Sequence, residues 1–102
     1  MKFTVEERLA TLGLLPQEGT LITMKVIHDL RQGLAFSEED LAILDFRQED
    51  ERLMWNNGIG LKEVEVGIKA ASVVYDELAK LDKDSKLRAS HLALCEKFEY
   101  EG

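Results

Sequence analysis

Cysteine and long apolar runs are scarce in this sequence, and each scarcity excludes a class of protein. Cys95 is the only cysteine, so no disulfide can form within the chain. No apolar run approaches the roughly 18 residues that a membrane-spanning helix requires. Glu6 and Glu7 stand where a secretory signal would be apolar. These features predict a cytoplasmic protein without a membrane partner.

Positive charge is also scarce. The chain has 13 Lys and Arg residues against 20 Asp and Glu residues, which gives a net charge of −7. Proteins that bind the phosphate backbone of nucleic acid usually display a stripe of Lys and Arg. The excess of negative charge therefore argues against direct nucleic-acid binding and against binding to an anionic membrane surface.

Proline is nearly absent, and no low-complexity stretch or repeat divides the chain. Pro16 is the only proline. The predicted elements follow one another at short spacing, as they do in one compact unit. We therefore predict a single domain spanning residues 1–102, long enough for one modest core but with little room for a deep pocket.

Hydrophobic spacing predicts the fold class. It indicates helices near residues 5–12, 21–32, 38–44, 68–81 and 87–98, and strands near residues 46–48, 52–55 and 62–66. The first two strands read as a hairpin, and the third follows a loop. We therefore predict an α+β fold in which about five helices pack on a small three-stranded antiparallel sheet, made of the hairpin plus one strand.

Capping residues predict where the helices begin and end. Thr4 and Glu7 have the spacing of a capping box, and Ser37 can cap the third helix. Gly13 and Gly33 suit the left-handed residue that often ends a helix. The sequence therefore predicts that the first two helices stop at these glycines.

The helical period also assigns side chains to the core. Ile22 is predicted on the inward face of the second helix, and Leu92 on that of the last helix, beside Cys95 and Phe98. The end of the chain, residues 99–102, is expected to fray.

Acidic residues gather in one segment. Between Ser37 and Glu51 the chain carries seven carboxylates and one basic residue, Arg47, which is a local charge of −6. The seven are Glu38, Glu39, Asp40, Asp45, Glu49, Asp50 and Glu51. The first three can simply start a helix, because carboxylates favour the positive end of the helix dipole. Alternatively, the segment can meet a basic surface of a partner protein.

Two apolar residues follow the acidic segment directly. Trp55 shares a strand face with Leu53, whereas Met54 lies on the opposite face. Trp55 can be a core aromatic that anchors the sheet to the helices, or a partly exposed anchor for a partner, since Trp is enriched at binding hot spots. If the face that carries Met54 is uncovered, it also hints at association.

Residues typical of catalysis or metal binding do not form a convincing set. His91 and Cys95 lie four residues apart on a predicted helix, but two ligands are too few for a structural zinc site. A nucleophile also needs a nearby base that a third group orients, and no motif supplies this arrangement. We therefore expect no metal, no cofactor and no enzymatic activity.

Two stretches of the chain resemble small proteins from genomes of tailed bacteriophages and prophages. The stretches read "LLPQEGTLITMKVIHDLRQGLAFSEED" and "LAKLDKDSKLRASHLALCEKFEY". Shared features include a Leu-Pro-x-Glu-Gly turn, a Trp-Asn pair at Trp55 and Asn56, and a closing pattern at Lys86, Leu87, His91, Leu92, Glu96, Lys97 and Phe98. The resemblance implies an accessory protein that a phage makes inside a bacterial cell, and it implies no activity.

These observations favour a non-catalytic interaction module. The expected partner is a host or phage protein with a basic surface, bound by the acidic segment. A self-assembling structural component, for example a homodimer, stays open as an alternative, and so does a small-ligand binder or an enzyme of unknown class.

Overall fold

A computed structural model describes all 102 residues of the chain. The elements in chain order are β1 (Lys2–Phe3), α1 (Val5–Leu14), α2 (Leu21–Leu34), α3 (Glu38–Leu44), β2 (Arg47–Glu49), β3 (Arg52–Met54), β4 (Lys62–Glu63), α4 (Ile68–Lys83), a 3₁₀ helix (Ala89–His91) and α5 (Leu92–Lys97). The predicted α+β class with five helices is confirmed.

The strands form two separate antiparallel pairs instead of the predicted single three-stranded sheet. β2 and β3 form the predicted hairpin, whereas β4 pairs with β1 at the start of the chain. In that pair Lys2 lies opposite Glu63 and Phe3 opposite Lys62. A strand of two residues has no alternation to detect, so the sequence could not reveal β1 as the partner.

The main core lies among α1, α2, α4, α5 and the β1–β4 pair. Its fully enclosed side chains include Leu34, Val74, Leu78 and Leu94. The ring of Phe3 packs against that of Phe98 with their centroids 6.4 Å apart. These contacts join the two ends of the chain, and we call this part of the molecule the helical body.

The two predicted helix starts form as expected, but the predicted helix ends do not. At the start of α1, the Glu7 N–H donates to the Thr4 hydroxyl and the Thr4 N–H donates to the Glu7 carboxylate. α1 continues through Gly13 to Leu14, and α2 continues through Gly33 to Leu34. Both helices end at residues with extended backbone, so neither glycine adopts the left-handed conformation.

Gly33 has a packing role that explains its place inside a helix. A Cβ atom at this position would lie only 2.9 Å from Cγ1 of Val64. The missing side chain therefore lets the β4 segment approach α2 closely.

Three further expectations are corrected. Ile22 and Leu92 are exposed rather than inward-facing, and Leu94 takes the core position in α5. The end of the chain is held through Tyr100, whose hydroxyl donates to the Asp82 carboxylate at 2.6 Å. Glu101 and Gly102, which follow it, are exposed.

None of the helices combines the length and apolar character that a membrane crossing requires.

Candidate functional site

Residues 36–58 form a second part of the molecule, which we call the α3–hairpin lobe. The Ser37 hydroxyl accepts from the Asp40 N–H, and the Ser37 N–H donates to the Asp40 carboxylate, so a second capping box starts α3. Asp45 ends the helix in the left-handed conformation, and the hairpin follows. Interactions between residues close in sequence therefore fix both ends of α3.

The hairpin closes through a strained two-residue turn. Asp50 and Glu51 both have positive φ, 48° and 68°, as in a type I′ turn. Asn and Gly favour this geometry, and a residue such as Glu is uncommon in it. The turn places two exposed carboxylates at the tip of the hairpin.

Aromatic rings hold the lobe together. Phe36 meets Phe46 with ring centroids 5.5 Å apart, and Phe46 meets Trp55 at 6.0 Å, both edge to face. Edge-to-face pairs of this kind stabilise beyond the area they bury. Trp55 is half-buried and anchors β3 to Phe46, and not directly to the main core.

Arg8 of α1 joins the lobe to the helical body. Its guanidinium is almost fully buried and lies 3.9 Å from the centroid of the Phe36 ring. Its Nε donates to the Leu34 carbonyl at 3.0 Å, and its Nη2 donates to the Ala35 carbonyl at 2.7 Å. Burial lowers the pKa of Arg8, and the nearby Asp40 carboxylate opposes that effect.

The seven carboxylates of the acidic segment are not equivalent in the structure. Asp40 faces inward, 3.9 Å from the Arg8 guanidinium. Asp45 and Glu49 are exposed but pair with Arg47, at 3.1 Å and 3.8 Å. The remaining four have no ion-pair partner and are exposed to solvent: Glu38, Glu39, Asp50 and Glu51.

Apolar side chains are exposed beside these free carboxylates. Leu41 and Ile43 of α3 are 45% and 48% exposed, and Leu53 and Met54 of β3 are 44% and 39% exposed. Helical phase places Leu41 and Ile43 on opposite flanks of the ridge formed by Glu38 and Glu39. The lobe therefore displays apolar side chains interleaved with negative charge.

The strand register sets which face each hairpin residue occupies. Met54 lies opposite Arg47, whereas Leu53 lies opposite Gln48. Leu53 therefore shares its face with Trp55, as the sequence predicts, and Met54 lies on the other face. Sequence reasoning placed Met54 and Trp55 in the candidate site but missed Leu41, Ile43 and Leu53.

His91, Cys95 and Tyr100, in and beside α5, have pKa values that their neighbours shift. The His91 Nδ1 accepts from the Arg88 N–H at 2.9 Å, and burial together with the Arg88 charge lowers the pKa of His91. Burial, aided by the Asp82 charge, raises the pKa of the Cys95 thiol, which disfavours the reactive thiolate. The hydrogen bond to Asp82 raises the pKa of Tyr100 to about 12.

No group of three or more His, Cys, Asp or Glu side chains is arranged to hold a metal ion. Comparisons with protein-family models, curated proteins and solved structures return no match to this chain. The geometry of the α3–hairpin lobe therefore identifies the candidate site.

Proposed function

We propose that this protein is a non-catalytic interaction module that binds a basic surface of another protein through its α3–hairpin lobe. The observation that carries the proposal is the mixture of unpaired carboxylates and exposed apolar side chains on one lobe. Complementary charge orients partners and accelerates their encounter, while buried apolar contacts supply affinity.

The charge distribution supports a selective role for four of the carboxylates. Asp40, Asp45 and Glu49 already pair within the chain, so they have less to gain from a partner. Glu38 and Glu39 on α3, together with Asp50 and Glu51 at the turn, lack such pairs. We therefore assign partner recognition to these four and to Leu41, Ile43, Leu53 and Met54 around them.

The resemblance to small phage and prophage proteins suggests the setting. In that setting the protein acts in the cytoplasm of a bacterial cell, and its partner is a host or phage protein. A basic surface on such a protein often serves to bind nucleic acid. Occupying that surface would let an acidic module control access to it.

A comparison of three baits tests the proposal by affinity capture from bacterial lysate with quantitative mass spectrometry. The baits are the natural chain, a lobe variant and a control variant of equal charge. The lobe variant carries Glu38→Gln, Glu39→Gln, Asp50→Asn and Glu51→Gln. The control carries Glu18→Gln, Glu96→Gln, Glu99→Gln and Glu101→Gln, all at exposed carboxylates outside the lobe.

We expect proteins with basic surfaces to be captured by the natural chain and the control, and lost from the lobe variant. Raising the salt concentration should weaken the same captures, because exposed charges are screened beyond about 10 Å at 0.1 M salt. Leu53→Ser should weaken them without changing net charge. Equal capture by the lobe variant and the natural chain would contradict the proposal.

A further inference from the structure

The β1–β4 pair has two edges, and hydrogen bonding shows which backbone groups each presents. Met1 and Val64 exchange both of their backbone bonds, with Val64 N–H to Met1 O at 2.8 Å and Met1 N to Val64 O at 3.0 Å. In an antiparallel pair, hydrogen-bonded and non-hydrogen-bonded residue pairs alternate, so the next pair, Lys2 and Glu63, does not exchange backbone bonds. The N–H and C=O of Glu63 therefore point away from β1.

The two edges differ in how they are covered. On the β1 side, the outward carbonyl of Lys2 accepts from Lys97 Nζ at 2.6 Å. On the β4 side, the N–H and C=O of Glu63 have no hydrogen-bond partner within the protein. Exposed strand edges are ready templates for pairing with another chain, and proteins usually protect them. On the β1 edge one outward backbone group is therefore bonded, whereas on the β4 edge neither is.

A groove lined by both apolar and charged side chains runs beside the β4 edge. It measures about 720 Å³ and lies between β4, α2 and the start of α4. Its apolar lining comes from the partly buried Val26, from the nearly enclosed Leu30 and Val64 at its floor, and from Ile68, which is 91% exposed at its border. Removing an exposed Ile side chain from water lowers the free energy of the system, so an occupant that covers Ile68 is favoured.

Charge discriminates between occupants of this edge. Glu63 and Glu65 lie on the exposed side of the strand segment, alternating with the buried Val64. The Glu63 carboxylate also accepts from the N-terminal amine at 3.3 Å, an exposed contact, whereas Glu65 has no ion-pair partner. A second copy paired here about a two-fold axis would bring these carboxylates opposite each other, which destabilises a strand pair. Lys62 and Lys69 also border the groove, but the exposed face of the segment itself is acidic.

We propose that the open edge of β4 is a strand-addition site for an extended segment of another protein. The segment alternates basic and apolar residues. Its basic side chains lie opposite Glu63 and Glu65, its apolar side chains enter the groove beside Ile68, and its backbone bonds the N–H and C=O of Glu63. This site is separate from the α3–hairpin lobe and does not depend on it.

Nuclear magnetic resonance of the full chain tests the site with two short synthetic peptides. In one peptide lysine and valine alternate, and in the other glutamate and valine alternate. We expect the Lys/Val peptide to shift the amide resonances of Glu63, Glu65 and Ile68 and to slow hydrogen exchange at the Glu63 amide. We expect the Glu/Val peptide to do neither.

A matched pair of variants isolates the backbone contact. Glu63→Pro and Glu63→Ala both remove the carboxylate, but only proline removes the outward N–H, and proline is tolerated where that N–H faces solvent. We expect the proline variant to bind the Lys/Val peptide about tenfold more weakly than the alanine variant, the equivalent of one net hydrogen bond. Ile68→Ser, at an exposed position, should weaken binding of the Lys/Val peptide without disturbing the fold, because it removes the apolar contact at the groove.

Three results would overturn the assignment. The first is peptide-induced shifts confined to the α3–hairpin lobe, which would contradict the β4 site but support a basic partner at that lobe. Unchanged exchange at Glu63 with every peptide would do so as well. Slow exchange at Glu63 that appears without peptide and vanishes on dilution would assign the edge to a second copy of the chain instead.

Discussion

The helical body and the α3–hairpin lobe bury their side chains in different ways. The body encloses a cluster of eleven buried residues, nine of them aliphatic, contributed by α2, α4 and both ends of the chain. The lobe has one fully buried aliphatic residue, Leu44, and otherwise depends on three aromatic rings and the guanidinium of Arg8. The body therefore has the larger share of the folding free energy.

The difference in burial leaves the two regions with different surfaces. A lobe held by a few edge-to-face rings can expose apolar residues on both α3 and β3 without losing its anchor. Regions with few buried apolar contacts also open locally at a lower free energy than the core does. We expect the lobe to open first, and Arg8 to govern that opening.

The largest effect is expected in the body. Leu78→Ala removes a fully buried side chain from the centre of α4 and should lower the free energy of unfolding by about 3 kcal/mol, since the cavity adds to the lost transfer energy. Chemical denaturation measures this value. Leu92→Ala, at an exposed site, is the control and should change stability little. Similar losses for the two variants would contradict the placement of the core.

An intermediate effect is expected where the two regions meet. Arg8→Met keeps the apolar stem but leaves the Leu34 and Ala35 carbonyls without their donor, which should cost about 2 kcal/mol. Hydrogen exchange should speed up in residues 36–58 more than in α4. Arg52→Met, at an exposed arginine, should have little effect. Uniform acceleration across both regions would show that Arg8 does not join two separable units.

The smallest effect, opposite in sign, is expected at the hairpin tip. Glu51→Gly relieves the left-handed backbone at φ 68° and should stabilise the lobe by about 0.5–1 kcal/mol, since glycine adopts this conformation without a steric cost. Exchange protection of the hairpin amides measures the gain. Glu49→Gly, in a strand, should destabilise the hairpin instead. A loss at Glu51 would mean that the turn differs from type I′.

Sequence patterns predicted features that depend on neighbouring residues. The capping box at Thr4, the helix cap at Ser37 and the hairpin after α3 formed where expected, because each is completed within a few residues of chain. The glycine signals failed at Gly13 and Gly33. A glycine read in isolation does not reveal whether it ends a helix or, as at Gly33, lets another segment approach.

The candidate site was predicted in outline but not in detail. The sequence located the acidic segment, and with it Met54 and Trp55. It could not separate Asp40, which faces a buried arginine far away in the chain, from Glu38 and Glu39 beside it. It also missed the exposed Leu41 and Leu53, because apolar residues in regular elements are ordinarily assigned to the core.

By itself, the sequence determined the fold class, the helix starts, the excess of negative charge and its concentration in one segment. These properties follow from composition and from interactions along a few residues of backbone. Only the tertiary structure decided that Lys2–Phe3 would pair with Lys62–Glu63, that Arg8 would be buried beneath Phe36, and which carboxylates would stay unpaired. Apart from the local pairs of Arg47 with Asp45 and Glu49, these contacts join residues distant in the chain, and packing of the whole core selects them.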